Sequence, residues 1–258
     1  MQATSSVANL PLVRRLEAVG FRAWPAATVL YDGSWQVRLT GGHPSKRLNC
    51  VVPLDPSDCR DMDLRLEKAA KRFEAYGRPL MLRETPLAPP PLIEHIAGRG
   101  WSRFETVKVL SADLTRLELP EALDHLPSHD VSRFIDMSLA VTGEDPALKP
   151  ALAEVLGAIK PATGLFAIEK APDGPAAVAL CVQDNDLAGI MNFAVAEGFR
   201  RQGVGTEVLS SALRWARISG ARSAWVQVVD TNSAALSLYR KFGFQDAYEY
   251  HYWQETGA

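Results

Sequence analysis

Cysteine is scarce in this chain. Cys50, Cys59 and Cys181 are the three present among 258 residues. An odd, widely spaced set gives neither a disulfide framework nor metal-ligand spacing, and it fits reduced thiols in a cytoplasmic protein. The five histidines are scattered, and none stands beside a Cys or a carboxylate at ligand spacing. His125 and His129 are four apart, but Pro127 between them disfavours the helix that would join them. No metal site is expected. No apolar run approaches the roughly 18 residues of a membrane span. The opening stretch MQATSSVANLPLVRRLEAVG lacks a basic segment followed by a long apolar core, so no signal peptide is expected. An excess of one charge is missing too. The formal net charge of −2 argues against a nucleic-acid binder that works by bulk positive charge. What is plentiful is apolar residue, 47% against 22% charged, enough for one large domain or two of modest size.

The C-terminal part has the clearest pattern. Thr163–Lys170 reads as a strand, Asp173-Gly174 as a hairpin turn, and Ala176–Val182 as a second strand. The turn Asp184-Asn185-Asp186 leads to a third strand, Leu187–Val195. After a polar stretch, Val204, Val208, Leu209, Leu213 and Ala216 recur at helical spacing, and Gly220 suits the helix end. A strand Ala224–Val229 follows, then a helix Ala234–Phe242 capped by Thr231 or Asn232 and stopped at Gly243, then strand-like Ala247–Trp253.

The front half repeats this order. When Asn49 is laid on Asn192 with no gap, Val52 faces Val195, Leu66 faces Leu209, Gly77 faces Gly220 and Gly100 faces Gly243. The elements match as well: strand Leu48–Val52, helix Leu64–Tyr76, strand Pro79–Arg83, helix Pro91–Ala97. Glycines at both helix ends carry the comparison, because each sits where a left-handed stop is wanted. Two domains of similar fold, from a duplication, are expected, with a boundary near Leu110–Leu119.

Between strand and helix lies Arg200-Arg201-Gln202-Gly203-Val204-Gly205. Gly203 and Gly205 permit close backbone approach, and several N–H groups converge at a helix N-terminus where the dipole favours an anion. Arg200 and Arg201 add forked donors for phosphate oxygens. Alone, the loop indicates an anion site or a plain structural turn.

Its neighbours carry more. Arg200, Gly203 and Gly205, then Asn232 in VVDTNSAALSLYRKFGF, Tyr239 seven residues later and Gly243-Phe244 resemble the GCN5-related N-acetyltransferase (GNAT) superfamily over about Leu165–Trp253. The resemblance implies an α/β (α+β) fold of two GNAT-like domains, residues 1–112 degenerate and 113–258 catalytic, each a mixed, mostly antiparallel twisted sheet flanked by helices. It implies acetyl-CoA as cosubstrate. Phe193, Ala194 and Val195 would offer backbone hydrogen bonds to the pantetheine arm, and Arg201, Gln202, Gly203, Val204, Gly205 and Thr206 would wrap the pyrophosphate. Asn232 would contact the pantetheine or simply cap its helix. Tyr239 would give a proton to the leaving thiolate, or pack as a core tyrosine.

One position departs from the family. Many relatives carry a Glu five residues before the Asn, where this chain has Gln227, which is no general base. The base is then Glu249, Glu169 or Asp186, or ordered water, or the acceptor needs little help. An α-amino group near ~7.7–8.0 is substantially neutral at pH 7, whereas a lysine near ~10.4 is not. At the repeat's offset Ser57, Arg60 and Met62 stand for Arg200, Gly203 and Gly205, and Ile96 for Tyr239, so the front half is expected to lack a cofactor loop. Its stretch Trp35–Asn49 holds Arg38, Lys46 and Arg47, either a solvated hairpin or a reader of acidic substrates. Tyr248, Tyr250 and Tyr252 alternate with Glu249, His251 and Trp253, so one set faces the core and the other is free for an acceptor pocket. The expected activity is acetyl transfer to a primary amine, of a small molecule or a peptide N-terminus, with no nucleic-acid or membrane partner. A non-catalytic acyl-CoA-binding regulatory module is the alternative.

Overall fold

The computed structural model describes residues 9–120 and 124–256. The front half runs α1 (Leu10–Ala23), β1 (Thr28–Asp32), β2 (Trp35–Leu39), β3 (Cys50–Pro53), α2 (Met62–Ala75), β4 (Met81–Glu84), α3 (Pro90–Gly98) and β5 (Trp101–Asp113). The rear half runs α4 (Val131–Thr142), α5 (Lys149–Ala158), β6 (Ala162–Lys170), β7 (Gly174–Asp184), β8 (Leu187–Val195), α6 (Val204–Ile218), β9 (Ser223–Val229), α7 (Ser233–Lys241) and β10 (Gln245–Glu255). Among the described residues, no helix is long and apolar enough to cross a membrane.

All ten strands join one mixed sheet in the order β1-β2-β3-β4-β10-β5-β9-β8-β7-β6. This corrects the expectation of a sheet for each half. The physical reason is a strand exchange. β10 does not return to its own half but inserts between β4 and β5, antiparallel to both. β5 in turn pairs with β9. Each half thereby covers an edge that the other would leave open. The boundary drawn at residue 112 falls at the end of β5, whose neighbours both come from beyond it.

The strand order reads the same from either end once β1–β5 are exchanged for β6–β10. The parallel pairs β3/β4 and β8/β9 exchange as well. Helix ends follow the same relation. Gly77, Gly100, Gly220 and Gly243 all have positive φ, and Arg78 N to Phe73 O (3.0 Å) is matched by Ala221 N to Ala216 O (2.9 Å). These are the closing bonds of equivalent helix C-termini.

Alternation along β7 sorts the core. Val178, Leu180 and Val182 join a cluster with Leu16 of α1 and Phe134 of α4. Ala177, Ala179 and Cys181 face the other way, toward Val208, Leu209 and Leu213 of α6. The front half's second face packs Leu66 and Phe73 of α2 against Leu92 and Ile96 of α3.

The segment Trp35–Asn49 is not a solvated hairpin. β2 is buried along its whole length, and Lys46–Leu48 form a 3-10 turn that delays β3 to Cys50. β2 pairs antiparallel with β1, through a turn at Gly33-Ser34, and on its other side with β3.

Candidate functional site

β8 and β9 pair only over Leu187–Ile190 and Ser223–Val226. Beyond this they part. Where β8 passes Ala179, its register against β7 shifts between Val178 and Leu180. Asn192 takes φ +45° there and donates Nδ2–H to Ser138 Oγ at 2.7 Å. A bulge increases twist and turns a strand from its neighbour. It leaves Phe193, Ala194 and Val195 with backbone groups toward β9 that no β9 residue meets.

The loop after β8 folds back onto that strand end. Arg200 Nε donates to Val195 O (3.3 Å) and Gln202 Nε2 to Gly198 O (2.7 Å). Arg201 has φ +63° and Gly203 φ +85°. The first helical bond of α6 runs from Glu207 N to Gly203 O (3.0 Å), so the N–H groups of Val204, Gly205 and Thr206 precede the ladder. Gly203 is needed for its dihedral, since a Cβ would meet nothing within 4 Å. Gly205 is needed for space: a Cβ would lie 3.3 Å from Val195 and 3.5 Å from Leu238. Arg200 and Arg201 are exposed.

On α7, Asn232 is the N-cap, accepting from Ala235 N at 3.1 Å. Tyr239 is 4% exposed, its ring 5.9 Å from that of Phe193 and 5.6 Å from that of Phe244. Burial pushes its phenol well above the usual value. The ring is a core group, yet among the described residues no hydrogen bond engages its hydroxyl.

Next to the strand gap is a cavity of about 390 Å³ walled by both halves. Asn192, Gln227 and Val229 line it from the rear half, Trp24, Lys46 and Arg47 from the front. Gln227 Oε1 accepts from the Tyr250 hydroxyl at 3.1 Å and from Arg47 Nη1 at 3.4 Å. Lys46 pairs with Glu105 at 2.8 Å. Tyr250 and Tyr252 also line the cavity, so the tyrosine set serves core and cavity together.

Arg38 does not reach this cavity. It is buried on β2, donating to Arg47 O (3.0 Å) and Trp24 O (2.7 Å), and burial lowers its pKa to about 10. It faces a second cavity of about 500 Å³ beside Glu17, Phe21 and Tyr31.

The three carboxylates named as bases lie elsewhere. Glu169 pairs with Arg133 and Asp186 with Arg15, and Glu249 stands 4.0 Å from Lys108. None of them lines the cavity. Glu105, Glu144 and His43 do, and no motif in the sequence marked them. His43 Nδ1 accepts from Ser45 N at 3.2 Å, and burial lowers its pKa below the usual imidazole value, leaving it neutral at pH 7.

The front half has a carboxylate where the rear half has a cation. Laid over the rear half, Asp58 faces Arg201. Asp58 accepts from Ser34 N (2.9 Å) and Ser34 Oγ (2.7 Å) and pairs with the buried Arg65 at 3.2 Å. Burial works against that charge, but these contacts hold the carboxyl far below its usual pKa. A fixed anion already stands before α2.

Sequence and fold comparisons place the chain among the GCN5-related N-acetyltransferases. It belongs to the family described as "Probable histone acetyltransferase Rv0428c C-terminal", which matches residues 12–253. The "Uncharacterized N-acetyltransferase YobR" of Bacillus subtilis (strain 168) is 27% identical over 246 residues, spanning 93% of this chain and 97% of that protein. A GCN5-related N-acetyltransferase from Kribbella flavida superposes with a TM-score of 0.70 at 18% identity, over 98% of both chains. A tandem GNAT protein from the clavulanic acid biosynthesis pathway superposes with a TM-score of 0.62 at 13% identity, over 98% of this chain and 88% of that one.

Proposed function

We propose that the protein transfers an acetyl group from acetyl-CoA to a primary amine by direct attack. The observation that carries this is the parting of β8 from β9 at Asn192, with the N-terminus of α6 following β8 and the Tyr239 ring 5.9 Å from that of Phe193. When bound, acetyl-CoA supplies an activated acetyl thioester. The β9-facing side of the Phe193–Val195 backbone would hold the pantetheine as an added strand. The N–H groups of Val204, Gly205 and Thr206, with Arg200, Arg201 and Gln202 around them, would hold the pyrophosphate. Asn232 caps α7 through its Oδ1, and its amide NH₂ would serve the pantetheine.

In the chemistry, a C–N bond forms at the acetyl carbon as the C–S bond breaks. Tyr239 holds a proton at its hydroxyl oxygen for the departing sulfur. Gln227 stays neutral and accepts no proton, so the amine arrives neutral or loses its proton to water. An α-amino group suits this better than a lysine side chain. Orientation in the cavity supplies much of the rate. Residues 113–258 carry this site. Residues 1–112 form a degenerate copy whose loop position is filled by Asp58, and they wall the acceptor cavity with Lys46 and Arg47. The chain is then a tandem GNAT protein that works in the cytoplasm.

A second reading, a non-catalytic acyl-CoA-binding module, draws on Gln227 alone. Thiol release from acetyl-CoA across an amine panel separates the two. Turnover with an acylated product supports the enzyme. CoA binding without turnover on any amine supports the module.

A further inference from the structure

Two cations, Lys46 and Arg47, and two carboxylates, Glu105 and Glu144, line the acceptor cavity, but of the two cations Lys46 alone is paired within 4.0 Å among the described residues. Lys46 is neutralised by Glu105 at 2.8 Å and lies 5.6 and 5.7 Å from the Phe104 and Tyr252 ring centres. Arg47 is different. Among the described residues no carboxylate lies within 4.0 Å of its guanidinium. Its contacts are the long bond to the neutral Gln227 amide at 3.4 Å and the Trp24 ring 6.0 Å away. A guanidinium keeps its charge at any ordinary pH and matches a carboxylate with two parallel N–H donors.

Gln227 explains why Arg47 is left open. A glutamate at that position would sit against the guanidinium and take up its charge. With glutamine there, Tyr250 and Arg47 both donate to one amide oxygen, and the cation keeps donors to spare. The exchange of Glu for Gln thus does more than remove a base: it leaves a positive site inside the cavity, beside the strand gap.

We infer that the acceptor is a small primary amine carrying a carboxylate, of amino-acid size, anchored by Arg47. This rests on the acetyltransferase reading above and names the substrate class for that site. The volume of about 390 Å³ lies within the range for small-molecule sites, and Trp24 and Tyr250 provide apolar walls for a side chain. The carboxylate would replace the weak Gln227 contact with a charge-assisted fork. The α-amine would then point toward Asn192 and Gln227. Because Arg47 belongs to the front half, the degenerate copy would supply the specificity group for the other half's chemistry.

The test measures kcat/KM with acetyl-CoA for matched acceptors, a panel of amino acids and their carboxamides, in wild-type full chain and three variants. Comparing variant with wild type for each acceptor cancels the acceptors' different amine basicities. Arg47→Ala is expected to lower kcat/KM for the amino acid by about 10- to 100-fold, while the carboxamide changes by less than about 3-fold. Arg47→Lys, which keeps the charge but loses the fork, is expected to fall between. Gln227→Glu is expected to mimic Arg47→Ala for the amino acid, because the new carboxylate captures Arg47. A roughly equal loss for both acceptors in Arg47→Ala overturns the inference, as does a Gln227→Glu variant that speeds both alike. Turnover of carboxyl-free amines or peptides in preference to every amino acid overturns it too, while the acetyltransferase reading stands. No turnover on any amine overturns both.

Discussion

Arg83 of β4 lies against Glu17 of α1, Nη2 to Oε1 2.6 Å, with both side chains almost fully buried. The same carboxylate oxygen accepts the Tyr248 hydroxyl at 2.6 Å, and the guanidinium stacks 3.7 Å from the Tyr250 ring centre. Burial opposes the Arg83 charge, but Glu17 together with Tyr250, Tyr252 and Tyr248 more than offsets it, so the guanidinium is held protonated. This cluster ties α1 to the exchanged strand β10. Glu17→Ala leaves a cation without its counter-charge, and a loss of about 3–5 kcal/mol is expected in urea unfolding. A loss below about 1 kcal/mol would mean that the cluster adds little to the seating of α1 on β4 and β10.

Tyr239→Phe keeps the ring that packs on Phe193 and Phe244 and removes only the hydroxyl. A fall of about 10²–10⁴ in kcat is expected with CoA affinity unchanged. Burial raises the Tyr239 pKa above its usual value near 10, so the phenol remains a proton donor throughout the neutral and mildly alkaline range. No alkaline loss of kcat traceable to Tyr239 is then expected below pH 10. An alkaline limb at pH 8–9 that vanishes in the Phe variant would contradict this.

Gly205→Val puts two methyl groups where a single Cβ already lies 3.3 Å from Val195. Overpacking of this kind costs about 1–3 kcal/mol. It also pushes the start of α6 away from β8. CoA affinity is expected to drop more than stability does, read by thermal shift with and without CoA. An unchanged ligand-induced shift would separate Gly205 from the cofactor loop.

Burial lowers the pKa of both His43 and His251 in the folded state. Each prefers to be neutral when folded, so the unfolded chain takes up protons first as pH falls. Their contribution is complete above about pH 6.5 and declines as pH drops through the folded pKa. Stability is expected to fall from pH 7.5 to 5, and the slope is expected to be shallower in His43→Gln. An identical slope in the variant would remove His43 as a source.

The rear half was largely legible in the sequence because its signals are local. Val204, Val208, Leu209, Leu213 and Ala216 are all buried along α6, and Gly220 has φ +99° at its end. Leu187–Val195 is a strand with the boundaries read from its residues. In the front half Gly77 and Gly100 marked helix ends, and both have positive φ. The strand exchange was not legible. Whether Tyr248–Trp253 pairs with β9 or with β4 and β5 is decided by long-range contacts that no local pattern encodes. The same limit hid the acceptor cavity. Arg47 and Gln227 are 180 positions apart and meet only because the halves share a sheet. Asn192 gave no sign of its left-handed backbone, since it sits inside an apolar strand run.

The placement of the anion site is tested most directly by titration calorimetry of CoA into the wild-type chain and the Gly203→Glu variant. Glutamate at that position meets a φ of +85° and carries a negative charge into the loop. One CoA bound per wild-type chain and no detectable binding to the variant, with its circular dichroism unchanged, is the expected result. Equal affinity for both proteins, or no binding to either, would contradict the assignment of Arg200–Thr206 to the cofactor.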